Sequence, residues 1–361
     1  MHYRDFEASQ HLSEQRQLFS DCFPESHLAS IGSTEHYQWK FRGLNATRPS
    51  YEYAAFDETR LVGYYAALPY RYRINGKKVL CGVVCDVMTH SSSRGKGIFT
   101  ALGRHSLNQL QAEGIGFVSG YPIRPEVLPG HLKVGWKVAF SLPLYIKVLR
   151  VNSALKKAGL EGFAPFCNGL VMGVRLVQSI PALFRRKDSD GFETRVFEVE
   201  EFLGLSEYDA FFSRWSAQFQ NVLQKDLEFL KWRLRAPGAA YRVLTVWSEG
   251  SLIAVSIVRK VEFNSLPCLA VLDLMSLTQE AAPLRALHGA LEQECIVQGA
   301  ETIAVMMSRT SARRAGLRAH GFIRSPKGFK LILNRLDSAL NLDQLMEEKN
   351  WNLMWIDSDD L

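Results

Sequence analysis

The sequence predicts an α/β fold in which two tandem domains each hold a mixed, partly parallel sheet flanked by helices. Two observations support this class. Strand-like and helix-like patterns alternate in each half of the chain, and the same series of patterns occurs twice. We place the domains at residues 1–150 and 191–361, joined by a helical linker at 151–190.

The two halves resemble each other at four positions, taken in order and separated by between 185 and 193 residues. An internal repeat at a nearly constant spacing indicates duplicated structural units. In each half a buried strand and a second helix follow the central helix, and strands close the unit. The paired positions are Trp39 and Trp232, Asp86 and Asp273, Phe99 and Leu284, and Gly135 and Gly321.

Composition and charge narrow the classes of function. The chain has 361 residues, of which 47% are hydrophobic and 22% charged, so that two ordinary domains can each bury a core. The net charge of +6 suits an anionic small molecule. It falls short of the clustered basic stripe of a dedicated nucleic-acid-binding protein, so we expect no nucleic-acid partner.

The cysteines and histidines predict no metal site. Six cysteines include no Cys-x-x-Cys pair, and none of the nine histidines pairs with another at a metal-binding spacing. Buried free thiols fit a reducing compartment. Because the first residues lack the apolar core of a signal peptide, we expect a cytoplasmic protein.

Residues 163–184 form the most apolar stretch of the linker. Pro165 and Pro181 limit its predicted helix to about 15 residues, which is less than the roughly 20 needed to span a bilayer. We therefore expect a buried or interdomain helix. The basic residues 185–187 leave open an alternative, in which the helix lies on a membrane surface. The sequence does not define an oligomeric state.

Residues 86–99 contain the strongest functional signal. An apolar strand pattern over residues 79–88 ends in a short polar turn, and a basic, glycine-spaced loop then leads directly into a helix. Gly95 and Gly97 allow a tight turn, Arg94 and Lys96 add positive charge, and the first turn of a helix offers unpaired N–H groups to an anion. The glycine spacing fits neither a Walker loop nor a dinucleotide fingerprint.

The run Arg94-Gly-Lys-Gly97-Ile-Phe99 resembles the pyrophosphate loop of the GCN5-related N-acetyltransferase (GNAT) superfamily, with the pattern Arg/Gln-x-x-Gly-x-Gly/Ala. Phe99 departs from it, since the family has a small residue there. The resemblance implies two GNAT-like domains and acetyl-CoA as co-substrate. We call residues 94–99 the phosphate loop; besides Arg94, Gly97 and Phe99 it contains Gly95, Lys96 and Ile98. The resemblance implies that the backbone of this loop binds the diphosphate of CoA. It assigns the pantetheine and the acyl carbonyl to the backbone of Met88 and Thr89.

The second half lacks this loop. At the corresponding place it has Thr278-Gln-Glu-Ala-Ala-Pro283, with no glycine, no cation, and a proline that removes an amide donor. We therefore expect a degenerate second domain that serves as a scaffold or a wall of the acceptor site.

Three residues are candidates for proton transfer. Asp86 lies eight residues before Arg94, where many family members carry a catalytic carboxylate; alternatively it is a structural acceptor, as the recurrence of an aspartate at Asp273 suggests. His131 stands where the family often has a tyrosine that acts as a general acid. A histidine can act as an acid or a base, or it can have only a packing role. Tyr121 is a competing acid. We expect His90 to cap the turn.

Two aromatic features invite structural interpretations. We expect Trp39 and Trp232 each to pack the first helix of its own domain against its sheet. The end of the chain predicts an edge strand with a solvated acidic tail containing Asp357, Asp359 and Asp360. Alternatively, these acids attract an amine at a groove between the domains.

Together these features predict an N-acetyltransferase that moves an acyl group from acyl-CoA to a primary amine by direct attack in a ternary complex. A small molecule or a sugar or cell-envelope precursor is the expected acceptor, by analogy alone. Two alternatives stay open: a tandem aminoacyl transferase that uses aminoacyl-tRNA, and a non-catalytic acyl-CoA-binding module.

Overall fold

A computed structural model describes residues 1–24, 31–44, 47–183, 191–263 and 265–359, without the side chains of 174–183. Phe184, the basic residues 185–187 and Asp360 lie outside the described residues. The strands are β1 His2–Asp5, β2 Tyr51–Asp57, β3 Arg60–Ile74, β4 Lys77–Thr89, β5 Phe117–Gly120, β6 Lys137–Val148, β7 Phe192–Phe197, β8 Asn221–Leu223, β9 Tyr241–Ser248, β10 Ser251–Phe263, β11 Leu266–Ser276, β12 Thr302–Met306, β13 Ile323–Arg335 and β14 Trp351–Asn352.

The helices complete the element list and alternate with these strands. They are α1 Ala8–Cys22, α2 Thr34–Arg42, α3 Ile98–Ala112, α4 Leu128–Lys133, α5 Asn152–Lys157, α6 Ala164–Leu183, α7 Val199–Leu203, α8 Glu207–Ser216, α9 Leu227–Arg233, α10 Ala281–Val297, α11 Arg309–Arg314 and α12 Leu342–Met346. The predicted series occurs twice: α2, β2–β4, α3, β5, α4 and β6 correspond in order to α9, β9–β11, α10, β12, α11 and β13.

The chain divides into two compact units, each assembled from three segments. The first unit contains Met1–Ser141, Gln220–Ala239 and Phe329–Trp351. Its strands follow the order β1-β2-β3-β4-β5-β13, with β4 and β5 parallel and the other described pairs antiparallel. Strand β13 thus closes a row whose other strands come from the first 120 residues, while β8 pairs with β3 outside this row.

Alternation along β3 separates the two faces of this sheet. Tyr65 belongs to a core cluster with Ile98 and Leu102 of α3, whereas its neighbour Tyr64 contacts Phe6 and Phe41 through edge-to-face ring contacts. Successive residues of a strand point to opposite faces, so α3 covers one face and the N-terminal region covers the other. Both faces are apolar because both are buried.

The second unit contains Leu142–Phe219, Ala240–Gly328 and Asn352–Leu361. Its strands follow the order β6-β12-β11-β10-β9-β7, in which β11 and β12 are parallel. Each unit therefore receives its closing strand from the other repeat: residues of β6 pair with β12, and residues of β13 pair with β5. The mixed sheets confirm the predicted fold class, while the sequential division at 150 and 190 stays a prediction.

The helix α6 differs from its prediction. It is 20 residues long and includes both prolines, of which Pro165 lies in the first turn, where its missing N–H has no intrahelical acceptor. Phe163 and Phe166 are 61% and 68% exposed, so the expectation of a buried helix is wrong for the part whose burial is described. None of the described helices combines the length and apolar composition needed to cross a membrane.

The end of the chain also differs from its prediction. After β14 the residues Trp355–Asp357 form a 3₁₀ turn, and Asp357 is fully buried. Its carboxylate accepts a hydrogen bond from the backbone N–H of Met354 at 2.8 Å. The expectation of a solvated tail is therefore wrong for Asp357. The described cysteines are free, and all but Cys167 are buried, as predicted.

Trp39 and Trp232 stack on each other within the first unit, which corrects the expectation that each packs in its own domain. Their rings lie 5.4 Å apart at an interplanar angle of 12°. Each indole N–H donates to the other residue's backbone carbonyl oxygen at 2.7 Å. Gly43 permits the approach, because a Cβ there would lie 2.9 Å from the Trp232 ring.

Helix α4 packs closely on α3 through a glycine. A Cβ added at Gly130 would lie 2.5 Å and 2.7 Å from two ring carbons of Phe99. Phe99 also contacts the His131 ring edge to face, with centroids 5.1 Å apart. The aromatic residue that opens α3 is thus accommodated by the absence of a side chain on α4.

We expect the two tryptophans to be energetically coupled. Trp39→Leu and Trp232→Leu each remove the stacking and one donor, so each should lower the free energy of unfolding by about 2 kcal/mol. A double-mutant cycle measured by urea unfolding should show coupling of about 1 kcal/mol. Strictly additive single effects would contradict the reciprocal contact.

Gly130→Ala should destabilise the protein, even though alanine favours a helix, because the added methyl group meets the Phe99 ring. We expect a loss of about 1–3 kcal/mol in urea unfolding. Gly103→Ala is the matched control, since a Cβ there meets Val134 at an ordinary 3.6 Å. Adding Phe99→Leu should recover much of the loss; no recovery would place the strain elsewhere.

Candidate active site

Strand β4 carries one extra residue where the candidate functional segment, residues 86–99, begins. Tyr64 of β3 lies opposite Met88, but Ala66 lies opposite Cys85, so two residues of β4 face one residue of β3. Asp86 lies in this bulge with φ +47°, a left-handed conformation that aspartate tolerates better than most residues. A bulge bends a strand and re-aims the residues that follow it.

Beyond the parallel pairing with β5, β4 has an unpaired edge. The pairing joins residues 81–83 to residues 117–119, yet β4 continues to Thr89 and stays paired with β3 on its other side. Along residues 84–89 the backbone polar groups on the β5 side therefore have no partner strand among the described pairings. Met88 and Thr89 lie in this stretch, at the position predicted for backbone contacts with an acyl group.

A tight turn links β4 to α3. The imidazole of His90 accepts a hydrogen bond from the N–H of Ser92 at 3.2 Å and so caps the 3₁₀ turn Ser91–Ser93, which confirms the predicted cap. The guanidinium of Arg94 donates to the Thr89 carbonyl oxygen at 3.3 Å. The turn and the side chain of Arg94 fix how the phosphate loop leaves the strand.

The phosphate loop has the backbone shape that its glycines allow. Gly95 and Gly97 have φ values of +77° and +76°, which carry a steric cost for residues with a Cβ. A Cβ at Gly95 would meet no atom within 4 Å, and one at Gly97 only the Thr100 hydroxyl at 4.0 Å. These glycines are therefore needed for their left-handed backbone conformation, because a side chain at either position would find room.

The start of α3 presents free amides beside two cations. Gly97 is the N-cap residue, no side chain caps the helix, and the N–H groups of Gly97 and Ile98 find no acceptor in the described part of the chain. Arg94 and Lys96 are exposed, whereas the Ile98 side chain is buried in the core. The loop is thus anchored by Ile98 and open to an anion on its outer side.

Asp86 forms a buried ion pair that the sequence did not reveal. The ammonium of Lys40 donates to Oδ1 of Asp86 at 2.9 Å, and the two side chains are only 8% and 10% exposed. Lys40 comes from α2, 46 positions earlier, so sequence spacing gave no signal of the contact. The pair compensates the charge of a carboxylate held in a bulge.

His131 lies in an aromatic environment. It is 6% exposed, and its ring contacts the rings of Phe99 and Trp136 at centroid distances of 5.1 Å and 5.0 Å. Burial lowers the pKa of His131 to about 4, so the ring is neutral near pH 7. A neutral ring between two aromatic rings fits packing, and the catalytic assignment of His131 stays a prediction.

Tyr121 is buried directly after β5, and the loop that follows it reaches the end of α1. Arg124 donates to the carbonyl oxygen of Cys22 at 2.9 Å and lies over the ring of Phe23 at 4.8 Å. The Cys22 thiol in turn points at the Thr89 carbonyl oxygen, 3.6 Å away. Loop, α1 and the end of β4 are thereby tied together around the predicted site.

The second unit keeps the bulge but not the loop. Ile257 lies opposite Asp273 and Val258 opposite Val271, so β11 also carries one extra residue, and Asp273 is fully buried. The connection from β11 to α10 contains no left-handed residue among those described, and Pro283 lies in the first turn of α10. β11 thus has a bulge of its own, directly before Asp273, and no glycine loop follows it.

Three solved structures share the whole fold of this chain. The structure is similar to that of a conserved Enterococcus faecalis protein described as a probable N-acyltransferase, with a TM-score of 0.62 and 10% sequence identity. The match covers 93% of this chain and 73% of that protein. A GCN5-related N-acetyltransferase from Anabaena variabilis has a TM-score of 0.61 and 12% sequence identity, over 93% of this chain and 72% of that one. Saccharomyces cerevisiae N-myristoyltransferase with bound myristoyl-CoA has a TM-score of 0.59 and 11% sequence identity, over 92% of this chain and 78% of that one.

The sequence itself matches a family model over the first part of the chain. No curated protein is similar enough to count as a relative. Residues 2–139 match the model described as an acetyltransferase (GNAT) domain, and this range includes the bulge, the phosphate loop and α4. For residues 2–139 this match confirms the resemblance to the GCN5-related N-acetyltransferases that the loop motif predicted.

Proposed function

We propose that the protein is an acyl-CoA-dependent N-acyltransferase, with acetyl-CoA as the first co-substrate to test. The observation that carries this proposal is the phosphate loop: two left-handed glycines place uncapped amides beside Arg94 and Lys96 at the start of α3. A diphosphate is the kind of anion that such a loop binds. The GNAT domain match supports CoA as the molecule that carries it.

The chemistry assigns a task to each neighbouring element. Transfer forms a C–N bond as the C–S bond of the thioester breaks, and one proton passes from the amine to the leaving thiolate. The open backbone edge of β4, where Met88 and Thr89 lie, offers the Thr89 N–H to the thioester carbonyl oxygen. A base must accept the proton of the ammonium, and an acid must supply one to the thiolate.

Asp86 is the proposed base, with Lys40 as the residue that positions it. The contact between the Lys40 ammonium and Oδ1 of Asp86 at 2.9 Å holds the carboxylate in place as a proton acceptor. Tyr121 is the proposed acid, since it is buried at the end of β5 next to the open edge of β4. His131 is retained as the competing acid or base.

The acyl group and the acceptor define the finer proposal. We propose a small molecule or a sugar or cell-envelope precursor with a primary amine as the acceptor, and the first unit as the place of the reaction. The similarity to a protein that binds myristoyl-CoA makes long acyl chains a second case to test. The aminoacyl-tRNA alternative is weaker because the net charge is only +6. The free cysteines support a cytoplasmic location.

Gly97→Val should abolish most CoA binding. The new side chain would stand on the outer side of the loop, where an approaching diphosphate must contact the amides. We expect at least a tenfold increase in the Kd of acetyl-CoA by titration calorimetry. Binding of acetyl-CoA and myristoyl-CoA by the unaltered protein should be compared in the same buffer.

Gly76→Val is the matched control for that experiment. Gly76 has φ +79° in the β3–β4 hairpin, and a Cβ there meets no atom within 4 Å, so both variants carry the same backbone strain. We expect Gly76→Val to bind like the unaltered protein. Equal affinity in all three proteins, or no CoA binding by any of them, would refute the proposed function; binding without thiol release from any amine would indicate the non-catalytic module.

The pH dependence of stability tests the burial of His131. Its pKa is about 4 in the folded protein and about 6.5 in the unfolded chain, so only the unfolded chain binds the proton between these values. Stability is therefore lost as the pH falls through this window, by about 3 kcal/mol. In urea unfolding, His131→Phe should reduce the loss between pH 7 and pH 4 by a similar amount; an unchanged curve would contradict a buried neutral ring.

The reaction rate of His131→Phe distinguishes a packing role of His131 from a catalytic one. If His131 only packs, His131→Phe should retain kcat within about tenfold and keep both limbs of the pH–rate profile. A general acid or base contributes typically ~10²–10⁴-fold, so a loss of that size together with a missing limb would assign proton transfer to His131. Asp86→Asn is the comparison variant, and we expect it to fall in the latter range.

A further inference from the structure

The 3₁₀ turn Glu161–Phe163 and the first half of α6 together carry a row of exposed apolar side chains within the second unit. Phe163, Phe166 and Leu170 are 61%, 68% and 56% exposed. Their spacing of three and four residues puts them on one side of the helical segment. The row is long for a protein surface, where large apolar side chains are ordinarily scattered.

The same segment has open surroundings at its glycines. A Cβ placed at Gly162, Gly169 or Gly173 would meet no atom within 4 Å. The main described contacts of α6 are with α5 and with the 3₁₀ turn that precedes it, not with a strand of the sheet. In the described part of the chain, nothing covers the exposed row.

The charge around the exposed row indicates which kind of partner covers it. Residues 150–183 contain four basic residues and one acidic residue, and Arg150, Lys156 and Lys157 are exposed. The acidic residue, Glu161, precedes the helix, and α6 itself contains no carboxylate. A second copy of this chain would bring like charges together, whereas an anionic lipid surface would complement them.

We propose that α6 lies on anionic membrane surfaces, with Phe163, Phe166 and Leu170 inserted among the lipid head groups and the basic residues near α5 facing the phosphates. Helices that lie in a membrane interface combine these two features. The helix does not cross the bilayer, in agreement with its composition. This interaction is independent of the proposed transfer reaction and needs no acyl-CoA.

Sedimentation with vesicles tests the proposal directly on the full-length protein. We expect binding to phosphatidylcholine vesicles that contain phosphatidylglycerol, much weaker binding to phosphatidylcholine alone, and release at high salt. The double variant Phe166→Gln/Leu170→Gln should bind at least tenfold more weakly. Glutamine removes the apolar groups without adding charge, so a loss reports insertion.

Val297→Gln is the matched control, because Val297 is also 68% exposed but lies at the end of α10. We expect this variant to bind vesicles like the unaltered protein. Absence of binding to anionic vesicles, or equal binding by the double variant, would overturn the proposal. Self-association that the double variant abolishes, without any vesicle binding, would identify a second copy as the occupant and would equally reject a lipid surface.

Discussion

The extra residue of β4 is the constraint on which the candidate site depends. A strand that kept its register past Cys85 would continue alongside β5, and its backbone groups would be used within the sheet. The bulge at Asp86 instead leaves the end of β4 paired on one side only. Left-handed backbone costs about 1–3 kcal/mol and persists where the surroundings determine it. Here the Lys40 ion pair holds the bulged residue, so stability and the open backbone edge depend on the same contact.

The second unit shows that the bulge and the loop are separable. Asp273 pairs with Ile257 beside the extra residue of β11, is fully buried, and is followed by a connection in which no described residue is left-handed. An aspartate at this place is therefore compatible with a purely structural role, and its presence alone does not indicate catalysis. What distinguishes the first unit is the sequence after the strand, where Gly95 and Gly97 adopt a conformation that side chains disfavour.

Local signals in the sequence predicted much of this structure, and long-range contacts explain the rest. Alternating patterns and the internal repeat predicted the α/β class, and the glycine spacing predicted the loop, because these features depend on residues close in sequence. The Lys40–Asp86 pair joins residues 46 positions apart, and the Trp39–Trp232 stack joins residues 193 positions apart. No periodicity reports such contacts. Phe99 looked anomalous only because the glycine that accommodates it, Gly130, lies on another helix.

The exchange of closing strands has a consequence for how the chain can be made and divided. Until β13 has been synthesised, β5 offers an unpaired strand edge, and such edges invite pairing with other chains. The first unit, although it holds the phosphate loop, is thus completed on the ribosome only after β13 has been made. A fragment cut after residue 150 would contain every residue of the loop and still lack the strand that shields its sheet. The loop and the strand that completes its sheet thus lie far apart in the sequence.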